Sequence, residues 1–156
     1  MSGSYRSIYS SPYGALELRV DNDGVLTELS LPNRGPFQAS AHDVPAHVRR
    51  QLDEYFAGTR QAFDLVVRPC GTPFELRVWQ RLQQIPYGTT VTYGNIAVEF
   101  GLLHGARAVG RANGANPIPI VIPCHRVIGS NGKLTGFGGG LPLKEALLRL
   151  EGAILV

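Results

Sequence analysis

Three short segments near the start of the chain alternate polar and apolar residues with period two: YRSIYSS (5–11), GALELRV (14–20) and VLTELSL (25–31). This alternation predicts strands with one buried face, arranged as a meander. SPYG and DNDG separate them, and both supply the residues of tight turns. After an irregular connection, NRGPFQASAHD, Pro45 stands where a helix would begin. AHVRRQLDEYFAG then repeats apolar residues at Val48, Leu52, Tyr55 and Phe56, with Gly58 as its stop. AFDLVV (62–67) predicts one more strand. Nothing in 1–68 forms a chemical constellation, so this part is expected to be a structural domain.

The pattern changes after RPCGTP, where Pro69, Gly71 and Pro73 crowd together. We place a linker at 69–72 and a second domain at 73–156. Thr72, Pro73 and Glu75 have the spacing of a capping box with proline in the first helical position. Phe74, Val78, Leu82 and Ile85 give the following helix its buried stripe, with Trp79 beside it. Thr90 or Thr92 is placed to cap a second helix, YGNIAVEF, which Gly101 ends. A short turn leads to GARAVGRANGAN. Helix, glycine-bearing turn and second helix have the spacing of a helix-turn-helix. The second of these helices consists almost wholly of Ala, Gly, Asn and Arg. Interior glycine costs a helix about 1 kcal/mol, so Gly110 and Gly114 need a reason: close packing on a neighbouring helix, or close approach to a ligand. Arg107 and Arg111, four apart, share a face, which favours a nucleic-acid groove. GSNGKLTGFGGG (129–140) lacks the glycine spacing of a phosphate-binding loop and is expected to be a lid or binding loop. Pro142 opens a last helix, with Leu143, Leu147 and Leu150 buried and Glu151 near its end.

Composition narrows the picture. The 156 residues are 44% hydrophobic, enough for a packed core. No apolar run approaches the roughly 20 residues of a membrane span, and the first residues lack the apolar core of a signal peptide. A cytoplasmic protein without a membrane partner is expected. The net charge of +3 is mildly basic, and the excess lies in the second half. Two cysteines, Cys70 and Cys124, make neither a disulfide framework nor a zinc site. Cys70 has no titratable neighbour but Arg68 and is expected to be a small buried apolar residue.

Cys124 is different. It ends the apolar run in PIPIVIPCHRVIG (117–129) and precedes His125 and Arg126. Cationic neighbours promote a thiolate, but adjacent residues of an extended segment point to opposite faces. Either Pro123 starts a turn that brings thiol and imidazole together, or a water bridges them. The imidazole also needs an orienting acid, for which Glu151 is the candidate. Spacing alone suggests a thiol nucleophile without naming its electrophile.

IPCHRVIG resembles the active-site signature of the O6-alkylguanine-DNA alkyltransferases. GTPFELRVWQRLQQIPYGTTVTYGNIA, ARAVGRANGANPIPIVIPCHRVIGSNGKLTGFGGG and KEALLRLEG follow that family in order and spacing, covering 71–152. The N-terminal strands fit it more loosely. The resemblance implies an α+β protein. A small ribonuclease H-like domain, an antiparallel sheet plus helix, would precede a helical, winged helix-turn-helix-like domain holding the DNA-binding surface and active site.

The implied activity is that of a methylated-DNA–protein-cysteine methyltransferase. It acts once, taking an alkyl group from guanine O6, less readily from thymine O4, in duplex DNA, with the base flipped from the minor groove. No cofactor or metal is implied, and a monomer associated with the nucleoid is expected. By resemblance Cys124 is the acceptor, His125 its base through a water, Glu151 the acid behind it and Asn116 the brace. Tyr93 crowds the phosphate and protonates the departing guanine, and Arg107 fills the vacated stack. Thr92, Ala106, Gly110, Arg111, Asn113 and Gly114 complete the expected DNA surface. Pro119, Val127, Gly136, Phe137, Gly138 and Gly139 complete the expected alkylguanine pocket. This chain has Phe137 where many members have tyrosine, and Gly138 where some have serine, which removes two hydroxyls and implies weaker polar contacts or a wider pocket. Two other readings compete: a non-catalytic binder of alkylated DNA with the same fold, against which the presence of Cys124 argues, and a cysteine hydrolase, which leaves the helix-turn-helix without a purpose.

Overall fold

A computed structural model describes residues 3–154. The N-terminal alternation becomes an antiparallel sheet of β1 (Ser4–Ser11), β2 (Gly14–Asp21) and β3 (Leu26–Ser30), in that order. Tyr9 pairs with Leu16 and Leu18 with Leu29, so the apolar positions share one face. Helix α1 (Ala46–Phe56) covers that face. Tyr9 donates to Asp53 Oδ1 at 2.6 Å and stacks on Phe56, while Val48, Leu52 and Tyr55 are fully buried.

The expected strand at 62–67 does not form. Only Val67 bridges to Leu26, through Leu26 N–H to Val66 O (3.1 Å) and Arg68 N–H to Leu26 O (2.9 Å). The cause is a side chain. Buried Gln51 on α1 accepts from the Asp64 N–H at 2.8 Å and donates to the Asp64 carbonyl at 3.0 Å. The backbone there is satisfied without a strand partner. Cys70 also departs from expectation: it is exposed.

The second part is helical. Helix α2 (Pro73–Leu82) begins with the expected capping box, since Thr72 Oγ1 accepts from Glu75 N–H and Glu75 Oε1 from Thr72 N–H. Trp79 is buried and donates to the Ala112 carbonyl at 2.8 Å. Strand β4 (Val91–Thr92) leads into α3 (Tyr93–Glu99), capped by Thr92. Then come α4 (Ala106–Gly114), β5 (Val127–Ile128), parallel to β4, and α5 (Leu141–Leu150). Helices α3 and α4 form the expected helix-turn-helix. One apolar core runs through both parts, from Leu16 and Leu18 in the sheet to Trp79, Ile96, Val109 and Leu147. Leu29 N–H donates to the Pro117 carbonyl at 2.9 Å, which ties the edge of the first sheet to the segment that leads to Cys124. No helix among the described residues is long and apolar enough to cross a membrane.

Candidate active site

The run before Cys124 is apolar but is not a strand. It folds into tight turns: Ile122 N–H reaches Ile118 O at 2.9 Å, and Cys124 N–H reaches Ile122 O at 2.8 Å. Buried Ile120 is held at φ 75°, a conformation that costs a β-branched residue about 1–3 kcal/mol and persists only where packing imposes it. Pro123 then turns the chain, and Cys124–Arg126 forms a single 3-10 turn. The turn forms, but no hydrogen bond joins the thiol and the imidazole across it. Cys124 borders a cavity of about 890 Å³, while His125 and Arg126 point into the protein interior.

Behind the thiol lies a fully buried ionic cluster. Glu151, the residue that ends α5, receives His125 Nε2 (2.7 Å), Arg126 Nε (2.8 Å) and Nη2 (3.0 Å), and the Tyr55 hydroxyl (2.6 Å). Arg126 Nη1 also donates to the Ile85 carbonyl at 2.7 Å. Burial pushes the Glu151 carboxyl up, but His125, Arg126 and Tyr55 outweigh it and bring its pKa down to about 2. Burial lowers the pKa of His125, against the pull of Glu151. The neutral imidazole therefore donates its Nε2 proton to an ionised carboxylate. Nδ1, buried and without a protein partner, is left as a bare acceptor.

Both groups make the fold acid-sensitive, with the same sign. His125 titrates in the folded protein below its ordinary 6.5, so below pH 6.5 the unfolded chain takes up that proton first and stability drops. Glu151 contributes about 3 kcal/mol above its ordinary 4.5, lost as the pH falls towards 2. Tm measured from pH 8 to 3 is expected to fall continuously below 6.5; a Tm that stays flat from 6.5 to 4 contradicts this assignment.

Burial pushes the Cys124 thiol up to about 11, opposed by Asn116 and by the charge of Lys144. Asn116 also braces the turn, donating to the Ile122 carbonyl at 2.7 Å and accepting from Ile118 N–H at 2.9 Å. Lys144, fully buried on α5, donates to Val127 O (2.7 Å) and Thr135 O (2.8 Å), and burial lowers its pKa to about 8. The Thr135 carbonyl also accepts from the Tyr93 hydroxyl at 3.3 Å. Lysine and tyrosine thus share one acceptor within the Gly-rich loop.

Around the cavity, Tyr93, Ala106, Arg107, Gly110, Arg111 and Gly114 line one side. Asn113, Asn116, Pro119, Gly136, Phe137 and Gly138 also line it, with Leu31 and Arg34 among the residues contributed by the N-terminal part. The glycines of α4 have no internal explanation. A Cβ added at Gly110 would meet Tyr93 only at 3.8 Å, an ordinary contact, and one at Gly114 would meet nothing within 4 Å. Packing on a neighbouring helix is thereby excluded as their reason, and close approach to an outside surface remains. Gly110→Ala is expected to raise Tm by about 2–4 °C through helix propensity and to weaken DNA binding several-fold in a fluorescence-anisotropy titration. A lower Tm with unchanged affinity contradicts the reading.

Several expected site residues are placed differently. Thr92 acts as the cap of α3, accepting from Asn95 N–H at 2.9 Å. Asn113 borders the cavity but is buried there, donating to the Cys124 carbonyl at 3.2 Å. Val127 is fully buried beneath the loop, pairing with Val91. Gly139 packs between Leu31 and Leu143 and does not face the cavity. Sequence reasoning missed Arg126 and Tyr55 as partners of Glu151, and Lys144 as the buried donor to the Val127 and Thr135 carbonyls. For Lys144 a signal existed, since Lys144, Leu147, Leu148 and Glu151 share helical spacing and form the buried face of α5. Leu143 and Leu150 are only partly buried.

Comparison with known proteins shows the family and the fold. Residues 73–153 match the DNA-binding domain of 6-O-methylguanine DNA methyltransferase, and residues 4–69 match its ribonuclease-like domain. A methylated-DNA–protein-cysteine methyltransferase of Methanosarcina barkeri is 58% identical over 152 residues, covering 94% of this chain and 96% of its own. One from Methanosarcina acetivorans is 44% identical over 154 residues, covering 96% and 99%. The crystal structure of Mycobacterium tuberculosis OGT in complex with DNA superposes with a TM-score of 0.84 at 45% identity, over 95% of this chain and 92% of that one. The chain belongs to the 6-O-methylguanine DNA methyltransferase family.

Proposed function

We propose that the protein repairs alkylated DNA by transferring an alkyl group from guanine O6, less readily from thymine O4, to Sγ of Cys124, once per molecule. The observation that carries this reading is a buried thiol that opens onto a cavity, about 890 Å³ in volume, also lined by the arginine- and glycine-bearing face of α4. Both arginines are exposed on that face, ready to meet a phosphate backbone. A guanine stacked in a duplex cannot reach Cys124, so it must be flipped out. Phe137 supplies an apolar surface against which the base can stack, and Arg107 fills the gap left behind. The minor groove is about 6 Å wide, which suits a helix of small residues.

The proposed bond changes are these. His125 Nδ1 takes the thiol proton through a water, while Glu151 holds the other side of the ring. The Cys124 thiolate attacks the saturated alkyl carbon and a C–S bond forms. The C–O bond breaks with its electrons going to the guanine, which takes a proton from Tyr93. Burial keeps the Tyr93 hydroxyl protonated, its pKa being raised. The product is a thioether with no route to hydrolysis in the site, hence a single turnover. The chemistry needs no cofactor.

The test is incubation with duplex DNA containing O6-methylguanine, followed by weighing of proteolytic peptides. A permanent gain of one methyl on the Cys124 peptide is expected. Tight binding without a mass gain would point to a non-catalytic lesion binder. Thiol-dependent turnover of esters or peptides, with no methyl gained, would point to a hydrolase.

A further inference from the structure

We propose that the N-terminal part of the chain supplies a working component of the alkyl-transfer site: Tyr55 is a positioning residue that holds the Glu151 carboxylate and, through it, the His125 imidazole. The proposal rests on the reading that His125 deprotonates Cys124.

Tyr55 lies on α1, 96 residues from Glu151 in sequence, and is fully buried. Its hydroxyl donates to Glu151 Oε2 at 2.6 Å, the same oxygen that takes His125 Nε2 at 2.7 Å. Arg126 forks across both carboxylate oxygens, with Nε on Oε1 at 2.8 Å and Nη2 on Oε2 at 3.0 Å. The arginine enters through the same 3-10 turn as the histidine. Tyr55 is the brace that comes from a separate element, so it fixes the carboxylate independently of the segment it orients. Its ring is wedged against Phe56 and Phe63, each at 5.2 Å between centroids, and edge-on to Tyr87 at 6.5 Å. The hydroxyl has little freedom to swing away. Burial, with Glu151 beside it, raises the phenol pKa well above its ordinary range, so the group is a donor at every working pH. The charged and titratable groups facing this cluster are His125 and Arg126 from the turn, Tyr55 from α1, Tyr87 before β4 and Lys144 from α5.

Removing the hydroxyl has two effects. The carboxylate is freer to rotate, which loosens the ring of His125. Its charge, no longer shared with a phenol, also bears more strongly on His125 and raises the imidazole's proton affinity. The imidazole then becomes protonated, and useless as a base, at a higher pH.

The experiment compares wild type, Tyr55→Phe and Phe63→Leu. The first variant keeps the ring and loses only the hydroxyl; the second loosens one ring packed on Tyr55 and removes no hydrogen-bonding group of the cluster. Methyl transfer from an O6-methylguanine duplex is followed by rapid quench from pH 5 to 9, and affinity for an unmodified duplex by anisotropy. Tyr55→Phe is expected to transfer about tenfold more slowly near neutral pH. The acid limb of its profile should move to higher pH by about half a unit to one unit, and DNA affinity should stay within twofold. Phe63→Leu, which keeps the hydroxyl, is expected to lower Tm, to transfer faster than Tyr55→Phe and to keep the wild-type acid limb. The proposal is overturned if Tyr55→Phe matches wild type, or if both variants slow alike with an unmoved acid limb. Failure of the wild type itself to gain a methyl overturns the proposed function instead, so the two failures are distinguishable.

Discussion

Glu151→Gln is expected to slow methyl transfer by about 10²–10³-fold and to lower Tm by roughly 10 °C. Every group that faces Glu151 is a donor: Tyr55, His125 Nε2, and Arg126 Nε and Nη2. An amide has one oxygen to offer them, and its NH₂ must confront a donor. The Arg126 guanidinium would then stay buried without a counter-charge. Breaking a buried ion pair by removing one partner costs about 3–5 kcal/mol, and each kcal/mol moves Tm by about 2–4 °C in a chain of this size. The kinetic loss has a separate origin. The carboxylate fixes the tautomer that leaves Nδ1 free to accept a proton, and such general base catalysis contributes about 10²–10⁴-fold. Quench-flow kinetics and calorimetry on the same variant measure both effects. A large drop in Tm with a wild-type rate would remove Glu151 from the mechanism while leaving its structural role.

Cys124→Ser is expected to abolish transfer outright while leaving fold and DNA affinity intact. Oxygen is smaller than sulfur but keeps the shape of the side chain, and Asn116 remains beside it. The buried hydroxyl adds little cost because a polar partner is present. The serine hydroxyl is too weak an acid for this site to ionise, and its oxygen is a poorer nucleophile towards saturated carbon than a thiolate. Affinity for O6-methylguanine DNA within about threefold of wild type, with no methyl gained on any peptide, is the expected outcome. Methyl found on a second residue would show that Cys124 is not the acceptor.

Much of this was legible from sequence, and the parts that were not share a cause. Alternation over 5–31 gave the three strands because one face of the sheet packs on α1 and the other does not. The capping box at Thr72 and the helix-turn-helix spacing are local chemistry, readable without a fold. The Pro-Cys-His-Arg segment carried its resemblance in adjacent residues. What escaped depends on contacts distant in sequence. The strand expected at 62–67 was lost to the side chain of Gln51, which no local pattern reveals. Tyr55 sits in an ordinary amphipathic stripe, and only the fold shows that its hydroxyl reaches Glu151. Asn113 reads as one more polar residue of a DNA-facing helix until its burial turns it towards the Cys124 carbonyl. The inward face of α5 is a partial exception. Its spacing was visible, but a lysine and a glutamate on a core face run against the usual pattern of burial, and both turn out to be buried with hydrogen-bonded partners. Gly110 and Gly114 are sharper in the structure than in the sequence, since their freedom from internal contact leaves an outside surface as their reason.

The measurement that bears most directly on the central claim is a count of methyl groups per protein molecule over time. The protein would be mixed with a several-fold excess of duplex DNA carrying isotopically labelled O6-methylguanine, and both protein-bound and released label followed. The account predicts a rise to one methyl per molecule, retained indefinitely, with the excess lesion untouched. Continued consumption of lesion beyond one equivalent, or release of label to solvent, would contradict it.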